Sequence, residues 1–380
     1  MKELSVVING GGMVGASAAL ALAQKGCFVT LLEPRPPSPN KNNDPEWDLR
    51  ISSVNNSNWQ WLLALGIGDC IREQRVFGYQ QLTVTSLGGH RMSFNANEVD
   101  LPQLGVMVEN NALQQALWAK LRALKNVRLV TDKTLDEVDV NSRSVVLSQG
   151  EIVNYDLLLG CDGANSIVAK LAGFHYRGWD YDQRCLLANV SLEKPIEPET
   201  WEVFRPQGPY ALLPLTEQQA CLIDYGIRDN INSLEKDKKA LEAHLEETFS
   251  PHIGDFRVLK SASFVLQRKH AKNYVKAGSV ALLGDAAHSI HPMAGQGVNL
   301  GFSDVRCLIE ALLQKSQDSA LVEYESTRRG ENAKMMRVMD AIQLGWRSSN
   351  PILQIATAAS LKVAAVPWVK RWVLQQAVGE

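Results

Sequence analysis

The patterned part of the chain opens on Leu4-Ser5-Val6-Val7-Ile8, a β-branched run that predicts a buried strand. Ala16 to Gln24 is rich in Ala and Leu and predicts a helix, ended by Lys25-Gly26. Cys27 to Leu32 predicts a second strand, closed by Glu33. Together they predict a βαβ unit with a right-handed crossover. Pro34 to Pro45 is rich in Pro, Asn and charge and predicts a surface loop. Helical periodicity returns over Ser57–Leu65. It is strongest over Glu109–Leu124, where Leu113, Leu117, Leu121 and Leu124 share a face. Short alternating runs between Phe77 and Phe94 predict strands, as do Asn126–Val130, Ser144–Leu147 and Leu157–Gly160.

From about residue 176 to 275 the texture changes. Cys185–Val190, Tyr210–Leu215 and Ala220–Tyr225 are short apolar runs separated by Pro, Gly and charge, which predicts an antiparallel sheet with a helix over 233–248. Parallel-sheet texture returns at Ser279–Leu283, followed by a long predicted helix from Gly297 to Leu313. The last fifty residues read as helical, broken at Pro351 and Pro367. Dinucleotide-fold pieces thus recur at the beginning, middle and end, interrupted by β-rich pieces. That pattern predicts an insertion rather than two domains in series.

Charge adds an exclusion. With a formal net charge of −2 over 380 residues, no bulk positive field argues for nucleic acid. The six cysteines form no C-x-x-C pair, so neither a zinc knuckle nor a disulfide framework is expected, and a reduced, cytoplasmic setting is. The stretch after Leu4 meets Asn9 and three glycines where a signal peptide would stay apolar. No run of ~20 apolar residues predicts a membrane-spanning helix.

Three motifs carry candidate chemistry. Gly10-x-Gly12-x-x-Gly15 lies between the first strand and helix. Its glycines permit a tight turn, close approach to a pyrophosphate and close helix–strand packing, and the helix N-terminus offers free N–H groups to phosphate. Glu33, 18 residues after Gly15, stands where a carboxylate accepts ribose hydroxyls. The second motif runs Gly284-Asp285-Ala286-Ala287-His288 to Pro292-Met293-Ala294-Gly295-Gln296-Gly297-Val298-Asn299. A strand delivers Asp285, and the glycines let backbone press against a flat ligand ahead of a helix N-terminus. The third is Cys161-Asp162-Gly163-Ala164-Asn165-Ser166, again after a strand. His288 and His291 stand three apart, but with Asp285 as the lone nearby acid they read as packing and loop hydrogen bonds rather than as metal ligands.

These motifs resemble the FAD-dependent aromatic hydroxylases of the para-hydroxybenzoate hydroxylase fold. Within that group the chain is most similar to the ubiquinone-biosynthesis hydroxylases, as Asp48-Leu49-Arg50-Ile51-Ser52, Val108-Glu109-Asn110 and Tyr324-Glu325-x-x-Arg328-Arg329-x-x-Asn332 support. Leu104 to Trp118, Cys185-Leu186-Leu187 and Gly208 to Leu215 look like the UbiF type, which hydroxylates demethoxyubiquinol. The resemblance implies an α/β fold: an FAD-binding domain from 1–75, 106–175 and 276–330, an inserted β-rich substrate domain from 76–105 and 176–275, and a C-terminal helical extension over 331–380. It implies that Gly10, Gly12 and Gly15 contact the pyrophosphate, that Glu33 holds the ribose and that Arg50 lies beside the cofactor. Asp162 and Gly163 are implied to serve both FAD and the NAD(P)H donor. Gly284 and Asp285 take the ribityl or pyrophosphate end, and Pro292, Gly295, Gly297 and Asn299 border the isoalloxazine. Oxygen transfer from a flavin C4a-hydroperoxide to a polyprenyl quinol ring is the implied chemistry, with no metal and no protein nucleophile.

Some positions depart from the family. Asn111 and Lys170 stand where relatives carry Arg, Asp224 where an aromatic is frequent, and Asn9 where Gly or an apolar residue is usual. Alternatives are another ring position in the same pathway, a different aromatic hydroxylase, or a non-catalytic scaffold of a quinone-synthesis assembly. A flavin halogenase is weaker, because Trp59-Gln60-Trp61 lacks the Ile-Pro that completes that signature. Glu109 suits either a helix N-terminus or an indirect cofactor role. In the tail, Trp368 and Trp372 share a helical face, with Lys362, Lys370 and Arg371 nearby. Packing on the body is the favoured reading there, and the sharper one is docking, either at the inner membrane face, where a lipid-borne quinol resides, or on a partner in a quinone-synthesis assembly.

Overall fold

The computed structural model describes residues 3–38, 47–71, 75–86, 89–290, 295–347, 370, 371, 374, 378 and 379. Its centre is a six-stranded sheet in the order Val275–Lys276, Val280–Leu282, Leu157–Gly160, Ser5–Asn9, Phe28–Leu32 and Val127–Val130. Apart from the antiparallel edge strand Val275–Lys276 all are parallel, so each interior strand is covered on both faces and reads as an apolar run. Helices Met13–Gln24, Asn110–Arg122 and Gln296–Gln314 lie beside it, and their buried side chains join those of the sheet in one core.

The second large sheet has eight strands, in the order His288–Ser289, Phe256–Ala271, Tyr176–Leu192, Gln219–Ile227, Tyr210–Thr216, Glu199–Val203, Gln81–Thr85 and Arg91–Asn95. Two of its strands are longer than their apolar runs foretell. Tyr176–Leu192 spans 17 residues where the pattern marks Cys185–Val190. Its polar outer half is held by pairing with Gln267–Ala271, across a bulge between Asp180 and Arg184, and not by burial. A small three-stranded sheet has the order Ile51–Asn55, Gly105–Glu109 and Val76–Tyr79.

The helix expected over 233–248 is two helices, Arg228–Lys236 and Lys238–Ile253. Asp237 divides them, because its carboxylate caps the second by accepting from the N–H groups of Lys239 and Ala240 at 3.0 and 3.2 Å. The helix predicted over Ser57–Leu65 is regular over Asn56–Leu62 and then distorts where Gly66 takes φ +86°. The 31-residue helix Gln317–Arg347 starts earlier than the tail pattern indicates. Pro351, Lys362, Pro367, Trp368 and Trp372 lie outside the described residues.

Candidate active site

A cavity of about 940 Å³ lies between the two large sheets. At one end its wall is made by the turns that follow the parallel strands, including Gly12, Gly163, Asp285 and Gly297. At the other end it is made by one face of the eight-stranded sheet, with Leu187, Leu213, Ile223 and Leu266. Ligand sites in open α/β sheets sit beyond the carboxyl ends of the strands, as the first end does here.

The glycine turn is shaped by contact. A Cβ at Gly15 would stand 1.8 Å from the Gly10 carbonyl oxygen, and one at Gly10 would stand 2.4 Å from that of Cys161. At Gly12 a Cβ would meet nothing, because the residue faces the cavity. Gly12 caps the helix without a side-chain hydrogen bond, and Met13 and Val14 also line the wall. Free N–H groups at that helix start suit phosphate. The turn is clamped from behind, where Gln114 Nε2 and Trp118 Nε1 donate to the Gly11 carbonyl at 2.7 and 2.9 Å. Glu33 accepts from the Gly11 N–H at 2.8 Å and from the Arg35 N–H at 3.0 Å, and it is not part of the described cavity wall.

Asp162 is explained by its neighbours. Its Oδ2 accepts from Asn9 Nδ2 at 2.8 Å and from the N–H groups of Ile167 and Val168 at 2.7 and 3.2 Å. The unusual Asn9 thus fixes the carboxylate, whose Oδ1 is buried without a partner. Gly163, at φ +80°, carries the turn along the cavity. Lys170 is exposed on the following short helix.

Asp285 opens into the cavity, with Oδ1 4.0 Å from where a Gly297 Cβ would be. Protein crowds it on its other sides, and this desolvation raises its carboxyl above the usual range. The turn that presents it is held by Asp304, which the sequence reading did not single out. The Oδ2 of Asp304 accepts from the Gly284 N–H at 3.0 Å and pairs with His288 Nε2 at 2.6 Å. Its Oδ1 accepts from Arg328 Nε at 2.8 Å and Asn332 Nδ2 at 3.1 Å. Desolvation pushes the Asp304 pKa up, but His288 and Arg328 outweigh it and hold the carboxyl below its ordinary value. A lone acid between Phe302 and Val305 on the apolar helix face was the available signal.

The Asn299 side chain is satisfied by protein. It accepts from the Asn55 N–H at 2.9 Å and donates to the Ser53 carbonyl at 2.8 Å, bracing the start of its helix against Ile51–Asn55. Gly295, at φ +62°, begins that helix and packs on Ser53, whereas Pro292 and His291 lie outside the described residues. Arg50 is exposed and lines the cavity. Its segment is pinned from two sides. Buried Glu109 accepts from the Asp48 N–H at 2.5 Å and from Arg75 Nη1 at 3.0 Å, and Asn189 Nδ2 donates to the carbonyls of Trp47 and Asp48 at 2.9 and 3.1 Å. Glu109 also stands at the N-cap of Asn110–Arg122, without a side-chain capping hydrogen bond.

Asp224 lies within the strand Gln219–Ile227, is buried, and pairs with Arg205 and with His244 Nε2, the latter at 2.6 Å. Asn111 Nδ2 donates to the Ser38 carbonyl at 3.2 Å. Trp59 is buried, and Trp61 packs on Phe302 with centroids 6.1 Å apart, so both belong to the core. No three His, Cys, Asp or Glu among the described residues form a metal-binding group.

The exposed helix start at Gly12 and the open carboxyl of Asp285 fit a dinucleotide that carries both phosphates and hydroxyls, whereas Asp162 stands behind the Gly163 turn and is not part of the described cavity wall. A wide cavity continuing to an apolar sheet fits a flat ring system beyond it. The chain belongs to the FAD-binding-domain family, whose profile matches residues 3–339. By that membership and by the full-length relatives it matches, it is an FAD-dependent monooxygenase. It is 37% identical over 389 residues to the 3-demethoxyubiquinol 3-hydroxylase of Escherichia coli K12, covering 100% of this chain and 99% of that one. It is 31% identical to the ubiquinone hydroxylase UbiL of Rhodospirillum rubrum, covering 100% of this chain and 90% of that one. In fold it matches p-nitrophenol 4-monooxygenase PnpA of Pseudomonas putida DLL-E4 at TM-score 0.78 and 20% identity, covering 100% of this chain and 99% of that one.

Proposed function

We propose that the protein hydroxylates the ring of a polyprenyl benzoquinol in ubiquinone biosynthesis, at the demethoxyubiquinol step. The observation that carries this reading is a cavity of about 940 Å³ that joins the dinucleotide turns to a largely apolar sheet face. The relatives' names support the substrate.

In this reading the N–H groups at Gly12 to Val14 bind the FAD pyrophosphate, and Gly10 and Gly15 shape the turn that brings them there. Glu33 acts through Gly11 or on the adenosine ribose. Asp285 accepts from the ribityl or pyrophosphate end, presented by Gly284. Arg50 and Gly163 flank the cofactor, Asp162 shapes the Gly163 turn, and Pro292, Gly295, Gly297 and Asn299 form the loop beside the ring. Bound FAD, reduced by NAD(P)H, supplies the activation of dioxygen. The apolar sheet face keeps water from the reacting centre.

The substrate's polyprenyl chain supports an encounter at the inner membrane face by an otherwise cytoplasmic enzyme. No helix of the described residues is long and apolar enough to cross a membrane. The tail's cations lend the encounter little, because Lys370 Nζ pairs with Glu98 at 2.7 Å and Arg371 with Asp100 at 3.8 Å.

Complementation of strains that each lack one ubiquinone ring hydroxylase tests the step, with quinone intermediates identified by mass spectrometry. Loss of the demethoxy intermediate and return of ubiquinone in the corresponding strain is the expected result. Rescue of a different strain alone moves the reading to another ring position, and rescue of none by a yellow, FAD-loaded protein removes it.

A further inference from the structure

The sheet face that closes the far end of the cavity is mostly apolar, with Thr200 and Tyr225 as neutral polar groups and Glu202 as the one carboxyl it contributes among the described lining residues. Glu202 lies in the strand Glu199–Val203, whose alternation sends Trp201 toward Phe249 and Glu202 to the opposite face. Its cross-strand neighbours are Ala211 and Val84, which offer no side-chain hydrogen bond. The residue is only 7% exposed and lines the cavity, and its Oε1 is buried with no hydrogen-bond partner. Among the described lining residues the other carboxyls, Asp48 and Asp285, come from the loops that carry the cofactor-binding motifs.

Folding gains nothing from such a group. A buried carboxyl without a partner is costly, and an apolar side chain of that size would serve the core better. The ionisable groups facing it are Cys185 and Tyr225, and burial keeps both protonated. Desolvation alone pushes Glu202 up to about 8. A general base works best when its pKa lies near the working pH.

We propose that Glu202 accepts the proton of the substrate's ring hydroxyl during hydroxylation, an inference that rests on the ring-hydroxylation reading above. The O–H bond of the ring hydroxyl breaks, its proton goes to the Glu202 carboxylate, and its electron pair flows into the ring. The activated ring carbon forms a C–O bond to one atom of dioxygen, which the two electrons of NAD(P)H have reduced by way of FAD. The O–O bond breaks, and the second oxygen leaves as water with the proton returned by Glu202. The proton on the attacked carbon then moves to the oxygen that gave up its own, and the C–H electron pair returns to the ring, which restores both the aromatic ring and the original hydroxyl. Glu202 thereby gains the hydrogen-bond partner that the protein does not give it.

The test uses the FAD-loaded enzyme with NAD(P)H, dioxygen and a short-chain demethoxyubiquinol. Hydroxylated quinol and hydrogen peroxide are both measured from mildly acid to mildly alkaline pH. In the wild type, hydroxylation rises with pH through about 8. In Glu202→Gln it falls ~10²-fold or more, loses that pH limb, and peroxide appears in place of product. FAD content and NAD(P)H-driven reduction remain. Glu202→Asp keeps part of the rate and the limb. Infrared spectra give a readout independent of turnover, a protonated-carboxyl band that titrates near 8 and is missing from Glu202→Gln. The proposal is overturned if Glu202→Gln hydroxylates at the wild-type rate with the wild-type pH profile. It is equally overturned if Glu202→Gln and Glu202→Asp both lose FAD and fold together, which makes Glu202 a structural residue. A wild type that forms no hydroxylated quinol at any pH removes the ring-hydroxylation reading itself, and the inference with it.

Discussion

The two ends of the cavity are specified at different ranges along the chain. At the cofactor end the geometry is local: Gly10, Gly12 and Gly15 fix one turn within six residues, and Gly284-Asp285 fixes another. At the sheet end the wall comes from strands between Tyr176 and Ala271, together with Gln81–Thr85, and no short stretch defines it. The first end is intolerant of backbone change. The second tolerates apolar exchange but depends on where single polar groups fall. Phosphate recognition needs backbone at van der Waals range, whereas a ring in an apolar slot needs volume and a few placed atoms.

Gly15→Ala attacks the local end hardest. The added Cβ meets a backbone oxygen at 1.8 Å, which no rotamer relieves. A loss of ~4–5 kcal/mol or more is expected, with FAD lost as well. Thermal melts and flavin absorbance check it, and a yellow protein with the wild-type melting temperature would break the comparison at its root.

Asp304→Ala comes next. It leaves the Gly284 N–H, His288 and Arg328 without their shared acceptor in a buried site. Removing one member of a buried ionic cluster costs ~3–5 kcal/mol. Denaturant unfolding measures this, and a loss of FAD affinity larger than the loss of stability would show that the brace acts mainly on the Asp285 turn.

At the sheet end, Glu202 makes stability depend on pH. Its pKa rises from 4.5 to about 8 on folding. Below 4.5 both states are protonated and there is no penalty. As pH rises the unfolded state releases its proton first, so the wild type loses stability until the folded group also ionises. Glu202→Gln removes the effect and should be the more stable protein by ~3 kcal/mol at neutral pH, with no such gain in acid. Unfolding curves at several pH values check the sign, and a constant difference would mean that the carboxyl is not desolvated.

Asp285→Ala is a milder change at the local end. The residue faces the cavity and its carboxylate makes no hydrogen bond among the described residues, so the change should weaken FAD binding by ~1–3 kcal/mol while leaving the melting temperature of the apoprotein near wild type. Flavin titration decides, and an unchanged affinity would move Asp285 away from the cofactor.

These contrasts explain what the sequence made legible. The βαβ unit, the glycine turns and the helices at Asn110–Arg122 and Gln296–Gln314 follow from period and spacing over short windows, and they were readable. Asn9 read as an anomaly, because the partner that explains it, Asp162, lies 153 residues away. Asp224 was equally opaque, since its partners Arg205 and His244 come from separate elements. Glu202 left no trace in the pattern at all. Thr200-Trp201-Glu202-Val203 alternates like any strand, and only the assembled sheet shows which side meets the cavity. Long polar strand halves such as Tyr176–Gln183 were missed for a related reason, because pairing holds them and composition does not.

The smallest expected effect concerns the tail, which reaches the sheet end of the cavity through buried Leu374 and Val378. Lys370 stands 5.8 Å from the Phe94 ring centroid and is paired with Glu98, and Arg371 is paired with Asp100. Both pairs are at the surface, and Arg371 and Asp100 are largely solvated, so together they contribute at most ~1 kcal/mol. If these cations serve the body, Lys370→Ala with Arg371→Ala should lower the melting temperature slightly and leave association with anionic liposomes unchanged. If they serve a membrane, liposome association should fall and become less salt-sensitive, at unchanged stability. Turnover of long-chain against short-chain quinol separates the cases further. A docking role penalises the long chain selectively, whereas a wall role acting through Leu374 and Val378 affects both chains alike.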